Sequence, residues 1–86
     1  MSNIIHARAR FSRNDQVILK CDRLCEFMLL TDAEFKKYQA GKSYKSIGGT
    51  VTSSPASIVV PRTADWNIVV DANGKKLKYK LTYIAH

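Results

Sequence analysis

The stretch IHARARFS, residues 5–12, alternates strictly between apolar and polar side chains. Successive side chains of a β-strand point to opposite faces, so a period of two predicts a strand that is buried on one side only. The segment KKLKYKLTYI, residues 75–84, shows the same alternation near the other end of the chain. The two segments therefore predict half-buried strands close to both ends.

Four further segments have the composition of strands: QVILKC (16–21), EFMLLT (26–31), ASIVV (56–60) and DWNIVVD (65–71). The nearly continuous apolar run in EFMLLT indicates a strand that is buried on both faces. The short connection DRL (22–24) predicts a hairpin between the first two of these strands. Asn73-Gly74 suits the positive φ angles of another hairpin turn.

One segment, DAEFKKYQA (32–40), changes to a helical period. Thr31, just before this segment, and Glu34, within it, match a capping box. Gly41 can take the left-handed conformation that ends a helix. Six or seven short strands with one short helix predict an all-β fold, a small antiparallel β-sandwich or flattened barrel, in a single domain over residues 1–86.

The length of 86 residues allows one hydrophobic core, because a domain of this size buries only about 60–65% of its unfolded surface. No apolar run approaches the roughly 20 residues that span a bilayer. The start of the chain, MSNIIHARARFSR, lacks the apolar middle of a signal peptide. We therefore expect no transmembrane segment and a cytoplasmic location.

Residue types that perform catalysis or bind metals are sparse. Cys21 and Cys25 are the only cysteines, and His6 and His86 are the only histidines. We expect two reduced structural thiols, with a disulfide or a metal site as the alternatives. The leading prediction is that the chain has no catalytic residue, no metal site and no cofactor, and is not an enzyme.

The tripeptide Gly41-Lys42-Ser43 looks like the end of a phosphate-binding loop. Such a loop needs a glycine five residues before its Gly-Lys pair, and Lys36 holds that position here. It also needs a strand before it and a helix after it, whereas here the predicted helix comes first. The sequence therefore predicts that Gly41 ends the helix and that Lys42 and Ser43 are exposed.

The net charge of +7 is concentrated near the two ends of the chain. Three arginines without an acid precede residue 14, four lysines without an acid follow residue 71, and the charges between them balance. If the first and last strands are neighbours, they form a basic stripe of Arg8, Arg10, Lys76, Lys78 and Lys80. This stripe suits nucleic-acid phosphates, an anionic membrane surface or an acidic protein. The alternative is a solvated face that only discourages aggregation.

Aromatic residues provide a second clue to function. A second predicted contact surface consists of Tyr38, Lys42, Tyr44 and Lys45. Tyr38 is also suited to packing the helix onto the sheet. Tyr79 and Tyr83 alternate with lysines, and we expect them on the core side of their strand. Trp66 is predicted to anchor the core, with a carbohydrate or peptide platform as the alternative.

The middle of the chain carries an ordered set of motifs. They are FMLLTD (27–32), Phe35, YQAGKSYKSIGG (38–49), Ser54-Pro55, Pro61 and WNIVVD (66–71). With these motifs the chain resembles a bacterial family catalogued as "domain of unknown function eighteen eighty-three". The resemblance implies a compact β-sandwich without a known catalytic site, found alone or joined to TIR-type domains, and hence an accessory role in defence or signalling. Asn67 stands where that family often has a histidine.

Three hypotheses for function follow. The first is a non-catalytic interaction or ligand-recognition module whose partner is an acidic protein or ligand. The second is nucleic-acid binding through the basic stripe. The third is a small phage or mobile-element inhibitor that binds a host protein. A homodimer formed through edge strands is compatible with so small a sandwich.

Overall fold

The computed structural model describes residues 4–86. This part of the chain contains seven strands and one helix. The strands are β1 (Ile4–Phe11), β2 (Gln16–Cys21), β3 (Cys25–Thr31), β4 (Ile47–Val51), β5 (Ala56–Val59), β6 (Ala64–Asp71) and β7 (Tyr79–Ile84). The helix α1 (Asp32–Gln39) lies between β3 and β4. The predicted domain over residues 1–86 also includes residues 1–3, which lie outside the described residues.

The strands form two antiparallel sheets. The four-stranded sheet has the order β1-β6-β3-β4, and the three-stranded sheet has the order β5-β2-β7. Within residues 4–86 the sheets do not close on each other, so the fold is an open sandwich rather than a flattened barrel. The predicted all-β sandwich with one short helix is confirmed.

The main core lies between the two sheets. Val17 and Leu19 of β2 are fully buried in one cluster with Ile68 and Val70 of β6. The apolar positions of β1 pack against the same cluster, while its polar positions are exposed. Burying one such aliphatic side chain contributes about 1.5–3 kcal/mol, so this cluster is the main source of stability.

A second, smaller cluster lies on the outer face of the four-stranded sheet. Met28 and Leu30 of β3 and Val69 of β6 are buried there beneath Phe35 of α1. Phe27 and Leu29, which alternate with them along β3, belong to the main core instead. The prediction that this strand is buried on both faces is therefore confirmed.

Helix α1 begins after Thr31 and ends before Gly41 as predicted, but only half of the predicted capping box forms, because the Glu34 carboxylate accepts from Lys37 and from the Lys45 amide instead. The Thr31 hydroxyl oxygen accepts a hydrogen bond of 3.4 Å from the Glu34 amide. At the other end the Lys42 amide donates to the Lys37 carbonyl at 2.9 Å, and Gly41 has a φ of +73°. This pattern is a Schellman motif, which needs a left-handed residue after the helix. Within residues 4–86, no helix has the length and apolar character needed to span a membrane.

The predicted hairpin between β2 and β3 is wrong. β2 pairs with β5 and β7 in one sheet, whereas β3 pairs with β6 and β4 in the other. The DRL connection therefore crosses from sheet to sheet. The physical reason is that β3 is apolar on both faces and must be buried on both. A central position in the four-stranded sheet, with the main core on one face and α1 on the other, achieves this.

The turn at Asn73-Gly74 forms, but it does not join a hairpin. Asn73 and Gly74 have φ angles of +55° and +78°, and the Lys75 amide donates to the Ala72 carbonyl at 3.2 Å. The chain then crosses to the other sheet and becomes a strand only at Tyr79. Before that point its backbone is held by Asp22, whose carboxylate accepts from the Lys78 amide at 3.0 Å.

Candidate functional site

The basic stripe predicted across the first and last strands does not form as one surface. β1 pairs only with β6, and β7 pairs only with β2, so the two strands lie in different sheets. Arg8 points towards α1 on the outer face of the four-stranded sheet. Lys80 lies opposite Lys20 in the three-stranded sheet. The prediction assumed neighbouring strands, and alternation alone does not determine which strands are neighbours.

The two arginines of the predicted stripe are engaged by acids. Arg8 Nη2 lies 2.7 Å from Asp32 Oδ2 and 3.3 Å from Asp65 Oδ2, and Arg10 Nη1 lies 3.7 Å from Asp65 Oδ1. The hydrogen bond from Arg8 holds the pKa of Asp32 well below its usual range, and the hydrogen bond from Asn67 adds to this effect. The arginines therefore offer little free positive charge to a partner.

Beside these ion pairs lies a polar cluster that sequence reasoning missed. Asn67 is 1% exposed, its amide nitrogen donates to Asp32 Oδ1 at 2.8 Å and to the Leu30 carbonyl at 3.2 Å, and its oxygen lies 2.9 Å from His6 Nε2. The His6 ring stacks on Phe35 with ring centroids 4.1 Å apart. The cluster fastens α1 onto β1 and β6. The one sequence signal for this cluster was Asn67, a polar residue inside a strand that is otherwise buried.

The last strand presents aromatic and basic side chains at an open edge. We call this the β7 surface and define it by Lys78, Tyr79, Lys80, Tyr83 and Ile84. Tyr79 and Tyr83 face the core side as predicted, because they lie opposite Cys21 and Val17. They are nevertheless 47% and 50% exposed, since β7 is an edge strand. The Tyr83 ring contacts Phe11, with ring centroids 5.5 Å apart.

The second predicted contact surface is partly a packing arrangement. The rings of Tyr38 and Tyr44 meet edge to face with centroids 5.2 Å apart. The Tyr44 hydroxyl donates to the Met28 sulfur at 3.8 Å, and burial raises the pKa of Tyr38. Lys42 and Lys45 are exposed, and Lys45 lines a cleft with Tyr44. The structure thus brings the two tyrosine rings together, and the role of the four residues as a contact surface stays a prediction.

A cleft of about 360 Å³ opens beside Trp66. Its apolar walls are Leu29, Ile47, Pro61 and Trp66. Its polar walls are Thr31, Glu34, Lys45, Ser46 and Arg62. Trp66 itself is 3% exposed, and its indole nitrogen donates to the Arg62 carbonyl at 3.1 Å. The prediction of a core anchor is confirmed, and the buried ring is not an open platform.

The two thiols lie close together where β2 leads into β3. Cys21 Sγ and Cys25 Sγ are 3.8 Å apart and form no disulfide, and the Cys25 thiol donates a weak hydrogen bond to Cys21 Sγ. Burial raises the pKa of Cys25 to about 12, so this residue is a thiol rather than a thiolate at neutral pH. Within residues 4–86 there is no group of three or more histidine, cysteine and acidic side chains suited to a metal ion.

No curated protein and no solved structure matches the chain. A family model with the description "Domain of unknown function (DUF1883)" matches residues 2–83. Because the match covers nearly the whole chain, the chain belongs to this family.

Proposed function

We propose that this member of the DUF1883 family is a non-catalytic binding module that presents its β7 surface to an acidic partner. The observation that carries the proposal is the exposure of Tyr79 and Tyr83, about half of each residue, on an edge strand. The segment from residue 72 to residue 86 contains four lysines and no acid. Exposed aromatic residues and free positive charge on one edge strand suit a contact surface.

Among the edge strands, β7 combines the features that a partner needs. β1 is also an edge, but its arginines are engaged by Asp32 and Asp65. β4 contains Gly48-Gly49, and β5 has only four residues. β7 has six residues, and three of them are large apolar or aromatic residues that are about half exposed.

Charge favours an anionic partner for this edge. Lys80 lies directly opposite Lys20, and like charges opposite each other destabilise a strand pair. An acidic side chain placed beside Lys80 at the free edge of β7 would offset that repulsion. An extended acidic peptide suits this edge for two reasons. It adds main-chain hydrogen bonds to a free strand edge, and it places carboxylates beside the lysines.

The absence of catalysis is part of the proposal and rests on how the polar groups are used. His6, Asn67, Asp32 and Arg8 bond to one another rather than facing a cavity together. A general base must reach the proton that it abstracts, and a base held by internal partners is poorly suited to that task.

The test is a fluorescence-anisotropy titration with a labelled peptide of alternating valine and glutamate, at about 50 mM and about 200 mM salt. We expect binding that weakens with salt and is lost in the double variant Lys78→Glu, Lys80→Glu. The matched control is Lys36→Glu, Lys42→Glu, which changes the charge equally on exposed residues of another region. Equal loss in both variants would mean that net charge alone attracts the peptide, which contradicts the proposal.

Single-stranded nucleic acid is a second candidate partner, because the tyrosines of the β7 surface are exposed. Tyr79 and Tyr83 are four residues apart on one face, which corresponds to about 13 Å along the strand. Stacking on an aromatic ring contributes about 1–3 kcal/mol per base. We expect a labelled oligothymidine to bind the Tyr79→Phe, Tyr83→Phe variant normally and the corresponding alanine variant at least tenfold more weakly. Binding that is independent of both rings would exclude this candidate.

A further inference from the structure

We propose that the cleft beside Trp66 is a binding site for a small organic anion, with Lys45 and Arg62 holding the anionic group and the apolar walls holding the remainder. This site is separate from the β7 surface and does not depend on the proposed function. The cleft volume of about 360 Å³ lies at the lower end of the range for small-molecule pockets. The ligand is therefore small.

The floor of the cleft is built on the rigid centre of the sandwich. Leu29 and Trp66 are 0% and 3% exposed, and they belong to the main core. Ile47 at the start of β4 and Pro61 after β5 form the side walls. Walls fixed by core packing make a preformed apolar surface, which binds a ligand without a large ordering cost.

Two cations, Lys45 and Arg62, line this apolar surface, and neither has an acidic partner within the described residues. The Arg62 guanidinium is positioned over the Trp66 ring, 5.8 Å from its centroid. A guanidinium fixed by an aromatic ring is well suited to hold a carboxylate or a phosphate through two parallel hydrogen bonds.

The single acid of the cleft is already engaged. Glu34 Oε1 accepts from Lys37 Nζ at 3.3 Å, and Glu34 Oε2 accepts from the Lys45 backbone amide at 3.4 Å. Lys37 therefore offsets the charge of Glu34, and the charges of Lys45 and Arg62 remain uncompensated. An apolar floor with two uncompensated cations at its wall selects an amphipathic anion over a neutral or cationic ligand.

The composition of the chain supplies a direct assay. Trp66 is the only tryptophan, so energy transfer from tryptophan to a fluorophore reports that the fluorophore is bound to the protein. The probe is 8-anilino-1-naphthalenesulfonate, and its matched control is N-phenyl-1-naphthylamine, which has the same rings without the sulfonate. We expect saturable sensitised emission from the anionic probe and at least tenfold weaker binding of the neutral one. Equal binding of the two probes would overturn the proposal.

Variants locate the bound probe. Arg62→Gln and Lys45→Gln should each weaken binding about tenfold, and Ser46→Phe should block the cleft without removing a charge. The control variants Lys42→Gln and Tyr83→Ala should bind the probe normally. Loss of binding in Tyr83→Ala with normal binding in Arg62→Gln would place the probe on the β7 surface and overturn the proposal. Circular dichroism of every variant checks that the fold is retained.

Competition identifies the anionic group that the cleft prefers. Benzoate and phenyl phosphate have the same ring and differ in the anion. Displacement of the bound probe by one of them at lower concentration assigns the cleft to carboxylates or to phosphates. Failure of both to displace it at concentrations that leave the protein folded would contradict a site for small organic anions.

Discussion

Asn67 Oδ1 lies 2.9 Å from His6 Nε2, and this contact joins two residues that are 61 positions apart in the chain. Since an amide oxygen can only accept, His6 Nε2 carries the proton and donates it. The nitrogen of the same amide donates to the Leu30 carbonyl and to Asp32. One buried side chain thus bridges β1, β3 and the first turn of α1.

Replacing this amide should weaken the fold. We expect Asn67→Ala to lower the free energy of unfolding by about 2–3 kcal/mol, because a buried carbonyl and a carboxylate both lose their donor. Urea unfolding followed by circular dichroism measures the change. Arg10→Ala is the control, since an exposed ion pair at 3.7 Å contributes less than about 1 kcal/mol. Similar losses in both variants would argue against a structural role for the cluster.

Acid should weaken the fold through Asp32. Hydrogen bonds from Arg8 and Asn67 hold the pKa of Asp32 below its ordinary value of 3.8. A carboxyl whose pKa is depressed on folding adds stability above its unfolded pKa and loses it as the pH falls through the folded pKa. We therefore expect the free energy of unfolding to decrease as the pH drops below about 4.

Urea titrations at a series of pH values test this dependence. Asp32→Asn should reduce the slope with pH. Some slope should remain in Asp32→Asn, because hydrogen bonds from the His86 and Ser12 amides also lower the pKa of Asp15. A slope in Asp32→Asn equal to that of the unsubstituted protein would show that this carboxyl is not the group responsible.

The two thiols should differ in reactivity. Because burial raises the pKa of Cys25 to about 12, this side chain stays a thiol at pH 8. Cys25 is also 3% exposed, whereas Cys21 is partly exposed. We expect iodoacetamide to modify Cys21 first in the native protein and both residues in urea, as measured by peptide mass spectrometry. Equal native rates at the two residues would contradict this expectation.

Gly48 should not tolerate a side chain. Its φ is +107°, and a Cβ atom there would collide with the Phe27 carbonyl oxygen and with Ile58. We expect Gly48→Ala to lower the free energy of unfolding by about 3 kcal/mol. Gly49→Ala is the comparison variant: its φ of +158° also strains a side chain, but a Cβ atom there meets nothing within 4 Å, so the difference between the two variants reports the collision. Urea unfolding of the two variants should differ clearly, and equal losses would refute the steric argument.

Six of the seven strands were predictable because alternation and apolar runs report burial, whereas β4, which contains Gly48-Gly49, shows neither pattern. The period of two in β1 and the apolar run in β3 gave the correct faces. Gly41 gave the correct end of α1. These features depend on the local backbone geometry and on which face of a strand or helix is buried. Both can be inferred from the pattern of consecutive residues.

Strand partners were not predictable from the same patterns. Alternation determines which face of β7 points inwards, but it does not say that β7 lies at an edge, so the exposure of Tyr79 and Tyr83 was missed. The bond between His6 and Asn67 depends on the pairing of β1 with β6, which no local pattern encodes. The cleft beside Trp66 likewise requires segments from β3, β4 and the end of β5 to meet in space.

The connections that cross between the sheets have a consequence for how the protein folds. Among the seven strands of residues 4–86, β3 and β4 are the only consecutive pair that hydrogen-bond to each other. Every other pairing joins distant parts of the chain, and such topologies fold in milliseconds to seconds rather than microseconds. Because β2 pairs with β7, the sandwich cannot close during synthesis until β7 has left the ribosome.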